Sequence, residues 1–250
     1  DINNLKPIIR VITHFFVAIF LILMIEPIHY FIIFNFEIKL YILGTIFTIL
    51  LIIWFINLFN FMDGINGLAT FQTITFCSSI LFFLLFERYL NNDDVSILIY
   101  LLILKITLLI SFLPWNFPRA RIFMGDSCSG VLGLFTSIIL IYMCHLSPKY
   151  FWVCLILLAL FLVDSTLTLL IRLITKQNIF SPHKTHAYQK AAIKFNSHTY
   201  VTIVQFLINV FWLFPISFLV ILDILSGFYA LLIAYIPIVL LLFKMNAGKL

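Results

Sequence analysis

Charge is what this chain most lacks. Only 10% of its 250 residues are Asp, Glu, Lys or Arg, against roughly a quarter in an ordinary soluble domain, while 64% are hydrophobic. A water-soluble globular domain is excluded on that ground alone. Glycine and proline, eight of each, are too few to interrupt the apolar runs often. Cys77, Cys128, Cys144 and Cys154 have neither a pairing nor a metal-ligand spacing, so they read as small apolar residues in or beside helices. No internal repeat, Ser/Gly linker or Lys/Arg-rich recognition module breaks the chain. That speaks against nucleic acid as a partner and for a single membrane domain over 1–250.

What is there instead is a succession of apolar runs, each of about twenty residues and so able to cross a hydrocarbon core of roughly 30 Å as a helix. Eight spans are expected, near 11–34, 38–56, 68–86, 95–113, 130–146, 150–172, 200–222 and 224–243. Lipid offers no partner to an unpaired backbone group, so the expected fold is an all-α polytopic membrane protein. Eleven of the fifteen Lys and Arg fall at one face if the N-terminus is cytosolic, which sets that face as the inner one. Its charge suits an anionic lipid head group or an anionic substrate. Of the ten acids, only Asp1, Asp63 and Asp126 lie on this basic face.

Three polar islands carry the remaining information. In Asn57-Leu-Phe-Asn60-Phe-Met-Asp63-Gly64-Ile-Asn66-Gly67, the residues Asn57, Asn60 and Asp63 recur every third position and would line one face of a helical turn, as oxygen ligands of a hard cation do. A plain turn between spans is the other reading. In the second, Pro114 and Pro118 are expected to end a helix, and Asp126, Ser127 or Ser129 to cap the next. A helix start with free N–H groups beside a carboxylate also suits a metal-bound phosphate, with Arg119 and Arg121 either anchoring topology or drawing in a diphosphate. In the third, His183, Lys184 and His186 form either a solvated loop or a donor-rich cradle for phosphate oxygens. Zinc is disfavoured there, because no third ligand has a fitting spacing. Asp164 sits inside a span with Ser165, Thr166 and Thr168, where a structural bond to those hydroxyls or to Arg172 competes with a functional role. Lys105 could snorkel or pair with it, and His14, His29, His145 and His198 read as ordinary interfacial residues.

Together the islands resemble the polyprenyl-phosphate N-acetylhexosamine-1-phosphate transferases, which include phospho-N-acetylmuramoyl-pentapeptide translocase and the initiators of O-antigen chains. Asn57-x-x-Asn60-x-x-Asp63-Gly-x-Asn66-Gly-Leu-Ala is similar to the family's NxxNxxDGxDGLA, with Asn66 where many bacterial members carry Asp. Phe123-Met-Gly-Asp126 matches FMGD, and His183-Lys-Thr-His186-Ala-Tyr-Gln resembles the HRSHxYQ form of the O-antigen initiators. Asp1, Leu5, Pro7 and Arg10 have the offsets that follow the second Asp of the family's Asp-Asp pair, which implies a chain that starts inside a motif, with about two helices missing upstream.

The resemblance implies that a sugar 1-phosphate passes from a UDP-sugar to a polyprenyl phosphate, releasing UMP, at a cytosolic site in the bacterial inner membrane. It implies Mg²⁺, with Mn²⁺ as an alternative, held by Asn60 and Asp126. Asn66 and Phe123 would lie around the uracil, His183 and His186 near the diphosphate, and Arg10 by the lipid phosphate. Asp1 and Asp63 are candidates for base or for positioning, while Asn57 and Lys184 are lesser contacts. The sugar stays open between N-acetylglucosamine and a 6-deoxy-N-acetylhexosamine, and a homodimer is among the allowed assemblies. A secondary transporter and an inactive remnant are the rival readings.

Overall fold

A computed structural model describes residues 7–34, 36–91, 96–178 and 183–249. Asp1 lies outside them. The chain is almost entirely helical: α1 (Pro7–Met24), α2 (Ile42–Met62), α3 (Leu68–Asn91), α4 (Ser96–Asn116), α5 (Gly125–Leu146), α6 (Lys149–Leu157), α7 (Ala159–Ile174), α8 (Ala187–Lys194), α9 (His198–Ile208), a π-helical turn (Asn209–Leu213), α10 (Phe214–Ile221) and α11 (Gly227–Lys244). Six of the described helical stretches are long and apolar enough to cross a membrane, the run His198–Ile221 being one of them. The pair α6 and α7, bent by 74° at Leu158, makes a seventh if counted as one span, and α1 is a shorter apolar helix. Among the described residues, six or seven of the eight expected spans are thus found, and the first run holds only the shorter α1.

Helices form here because the apolar runs bury all backbone groups internally, and the few hydroxyls they contain return to the backbone a turn earlier. Thr48 donates to the Gly44 carbonyl, Thr73 to Ala69 and Thr136 to Leu132. The centre of the molecule is α2 against α5, and the contact is close because Gly133 faces the Phe55 carbonyl; a Cβ there would sit 2.3 Å from that oxygen. Of the six spanning stretches, α4 and α11 are the least covered, each with 22% of its apolar window buried, and so present mostly lipid-facing surface.

Two features depart from the expected spans. The run 11–34 is not one helix: α1 ends at Met24, and a hairpin of β1 (Tyr30–Ile33) with β2 (Phe36–Lys39) follows. Trp152 Nε1 donates to the Ile32 carbonyl at 2.8 Å, and Phe31 stacks on Phe151, so the hairpin closes one end of the bundle. A four-residue alternation is invisible within a continuous apolar run. Also, Pro114 does not end a helix, since α4 continues to Asn116 and stops before Pro118.

The bend between α6 and α7 frees carbonyls, and a buried polar cluster answers them. Gln72 Nε2 donates to Leu157 O at 2.9 Å, while Gln72 Oε1 accepts from Gln205 and from Asn209 in the π-helical turn. Lys105, open in the sequence between snorkelling and pairing with Asp164, lies over the Phe135 ring at 5.5 Å with no hydrogen-bond partner among the described residues. Replacing Gly133 by Ala should separate α2 from α5 and cost about 1–3 kcal/mol, which would register as a lower Tm of the detergent-solubilised protein.

Candidate active site

The last two turns of α2 and the first turn of α5 meet at one end of the bundle. Asn57 and Asn60 lie on α2, and Asp63 is its C-terminal cap residue. Asp126 is in the first turn of α5, so it does not cap that helix; Met124 occupies the cap position and makes no side-chain cap bond. The Asp63 carboxylate accepts from the backbone N–H of Gly125 and feels the charge of Asp126. Burial, with Asp126 adding to it, pushes the Asp63 carboxyl up from its ordinary 3.8 to about 7 despite the Gly125 bond. Arg10, from α1, pairs with Asp126 at 2.5 Å. Asn60 Nδ2 lies 3.5 Å from Ser129 Oγ, which leaves the amide oxygen of Asn60 as its uncommitted acceptor.

The third island docks onto this pair through Phe61. His186 stacks on Phe61 and on His183, with ring centroids 6.1 and 5.1 Å apart, and the Tyr188 hydroxyl donates to the Phe61 carbonyl at 2.8 Å. Gly64 is required for this approach, since a Cβ there would lie 2.1 Å from Tyr188 Oη. His183 and His186 do not share a helical turn: α8 starts at Ala187, with His186 as its cap residue and His183 in the preceding loop. Burial, His186 and Arg172 together push the His183 imidazole down to about 4, so it is neutral at pH 7. Lys184 is exposed.

Asp164 explains how the island is held. Its Oδ1 accepts from Ala187 N at 2.9 Å and from Thr168 Oγ1 at 3.0 Å, with His186 Nδ1 3.4 Å away; its Oδ2 accepts from Tyr188 N at 3.0 Å. The intramembrane acid thus caps α8 and orients His186. Arg172 does not pair with it, and bonds Gln177 and the Asn178 carbonyl instead.

Asn66 is committed to the protein. Its Nδ2 donates to Pro118 O at 3.0 Å, its Oδ1 lies 3.2 Å from His198 Nδ1, and its carbonyl accepts from Thr202. These bonds tie the loop before α5 to the start of α9. Asn116, 3% exposed, fixes the same loop by accepting from Gly67 N and Thr70 Oγ1 and donating to Ile122 O. Phe123 is 70% exposed at its edge, beside the exposed Arg119 and Arg121.

Of the expected residues, the structure brings Arg10, Asn57, Asn60, Asp63, Asp126, His183 and His186 to one end and leaves Phe123 and Lys184 at its rim. Two contributors escaped the sequence reading. His14 Nδ1 lies 3.3 Å from Asn57 Nδ2, and Tyr188 joins the islands. The only sequence signal for His14 is its i+4 offset from Arg10 on an otherwise apolar helix.

A family model described as glycosyl transferase family 4 matches residues 1–144, more than half the chain. The chain belongs to glycosyl transferase family 4. Among its relatives, the probable undecaprenyl-phosphate N-acetylglucosaminyl 1-phosphate transferase of Bacillus subtilis (strain 168) is 32% identical over 176 residues, covering 69% of this chain and 47% of that protein. The undecaprenyl-phosphate alpha-N-acetylglucosaminyl 1-phosphate transferase of Thermotoga maritima is 30% identical over 152 residues, 58% of this chain and 43% of the relative. The phospho-N-acetylmuramoyl-pentapeptide-transferase of Staphylococcus epidermidis is 30% identical over 157 residues, 61% and 45% respectively. The chain thus spans less than half the length of these family 4 relatives.

The folded protein holds the Asp63 proton up to about pH 7, whereas the unfolded chain releases it near 3.8. Its contribution to stability is therefore present below pH 3.8 and is lost as pH rises through about 7. Asp63→Asn should flatten the fall in Tm of metal-free protein between about pH 5 and pH 8, and an unchanged slope would contradict the burial of that carboxyl. Asp164→Ala should uncap α8 and lower stability by about 1–3 kcal/mol, read as faster hydrogen exchange of the Ala187 and Tyr188 amides.

Proposed function

We propose that this family 4 chain is the core of an enzyme that transfers a sugar 1-phosphate from a UDP-sugar to a polyprenyl phosphate, releasing UMP and leaving a lipid-linked sugar diphosphate. The observation that carries the reading is the meeting of Asp63 and Asp126, with Arg10 on the second, at one end of an apolar bundle. Such a place is reachable both by a water-soluble nucleotide and by a lipid phosphate whose tail stays in the bilayer. The concentration of Lys and Arg at this end supports a cytosolic site in a bacterial plasma membrane. The names of the relatives favour N-acetylglucosamine as the sugar and undecaprenyl phosphate as the acceptor.

The donor set fits Mg²⁺, or Mn²⁺ as the alternative. Asp126 and the amide oxygen of Asn60, which has no partner among the described residues, are hard oxygen ligands, and the Asp63 carboxyl beside them adds to the acidic character of the place. Among the described residues no group of three or more His, Cys, Asp or Glu gathers, which suits an ion that keeps waters and substrate phosphates in its shell. When bound, the ion supplies charge neutralisation between two phosphorylated substrates.

The residues supply the rest. A phosphate monoester has a second pKa near 6, so the lipid phosphate is mostly the dianion at neutral pH and needs little activation. What remains of its proton has a receiver in Asp63, whose carboxyl burial holds at about 7. Arg10 offers a guanidinium to the acceptor phosphate, and exchange of its Asp126 partner for that phosphate would free the carboxylate for the metal. The stacked His183 and His186, adjacent to Phe61, provide imidazole N–H donors beside the same end of α2.

In membranes or micelles containing Mg²⁺, undecaprenyl phosphate and UDP-N-acetylglucosamine, the full-length protein should release UMP. Asp126→Ala should lower that rate by at least about a hundredfold, followed by chromatography of the nucleotide. Turnover left intact by this substitution would sink the assignment.

A further inference from the structure

On α1, Arg10 and His14 are separated by one turn and face the junction of α2 with α5. Arg10 reaches Asp126. His14 Nδ1 lies 3.3 Å from Asn57 Nδ2, and the chemistry of this contact fixes the imidazole. An amide nitrogen only donates, so Nδ1 of His14 must accept, and the ring proton then resides on Nε2. The second N–H of Asn57 is spent on the Ile53 carbonyl at 2.7 Å. His14 therefore presents one N–H donor that has no protein partner among the described residues.

Its depth, shared with Asn57, distinguishes it from Arg10 and the acids. Four residues of helix carry His14 about 6 Å further along α1 than Arg10, away from the end where the islands converge. Beyond it the same face of α1 is apolar, with Ala18 fully buried, while Phe15, Phe16 and Phe20 are 45%, 65% and 60% exposed toward lipid. A water-soluble nucleotide arriving from the islands meets Arg10 and Asp126 first. A phosphate anchored by a hydrocarbon tail approaches from the opposite side, and the donor nearest its ester oxygen is the His14 imidazole.

We propose that His14 is a further acceptor-binding residue, its Nε2–H donating to the ester side of a polyprenyl phosphate whose outer oxygens meet Arg10, with Asn57 holding the imidazole in that tautomer. The inference rests on the transferase reading for the identity of the lipid, though the chemistry it names is a phosphate monoester on an apolar chain. Asn57 is, in this arrangement, a positioning residue.

The test uses the full-length protein and separates binding from turnover. His14→Leu should raise the KM for undecaprenyl phosphate at least fivefold and leave the KM for the UDP-sugar within twofold. His14→Gln, which can accept from Asn57 and still donate, should recover most of the loss. In the absence of nucleotide, undecaprenyl phosphate should raise the Tm of the wild type more than undecaprenol does, and His14→Leu should abolish that difference. Equal stabilisation by phosphate and alcohol, or a parallel rise in both KM values, would overturn the proposal by reducing His14 to a structural contact. If the wild type released no UMP yet showed the His14-dependent shift, the transferase reading would fail while the phosphate site stood.

Discussion

Two carboxylates forced together at the apposed ends of α2 and α5 are the constraint from which the rest of the structure follows. Burial, above all, raises the proton affinity of Asp63, and the like charge of Asp126 adds to it. The fold tolerates their proximity because the backbone N–H of Gly125 and the Arg10 guanidinium each answer one carboxylate. It enforces it because Gly133 lets the two helix backbones come within contact of each other further along. Loosen that contact and the two acids can drift apart, and the junction that gathers the islands is lost.

The third island is held by a second buried acid put to a different use. A carboxyl inside the bilayer is tolerable only when its hydrogen-bonding capacity is met, and two backbone N–H groups, a hydroxyl and an imidazole meet it at Asp164. The carboxylate caps the Ala187 and Tyr188 amides of α8, beside the Gln189 side chain that accepts from His186 N. Its effect reaches the site by stacking, since His186, fixed from below, lies against Phe61 two residues before Asp63. The two acidic centres are therefore joined through aromatic faces rather than through a chain of charges.

Most of this was legible in the sequence where the signal was long or chemically dense. Apolar runs of twenty residues specify helices almost without context, and Asn57, Asn60, Asp63 and Asp126 stand out because polar residues at span ends are rare in so apolar a chain. The hairpin at 30–39 was hidden, because Tyr-Phe-Ile-Ile reads equally as helix or strand until Trp152 is seen to bond its backbone. Asp164 could be marked as unusual but not assigned, since its partners at 186–188 are more than twenty residues away and none is acidic or basic in the way an ion pair would advertise. His14 was passed over as interfacial for the same reason: its meaning depends on Asn57, forty-three residues later. The family resemblance, for its part, rests on three short motifs whose convergence no spacing rule could establish, and the match over residues 1–144 shows the membership.

The polar cluster at the α6–α7 bend bears on how the molecule is made. Gln72 enters the bilayer on α3 early in synthesis, yet two of its three partners, Gln205 and Asn209, lie 133 and 137 residues downstream. Until those arrive, a side-chain amide sits in hydrocarbon with its hydrogen-bonding capacity unmet, at a free-energy cost of a few kcal/mol. The polar contacts of α3 are thus completed only once α9 and the π-helical turn after it are in place, so the second half of the chain settles how the first half is held.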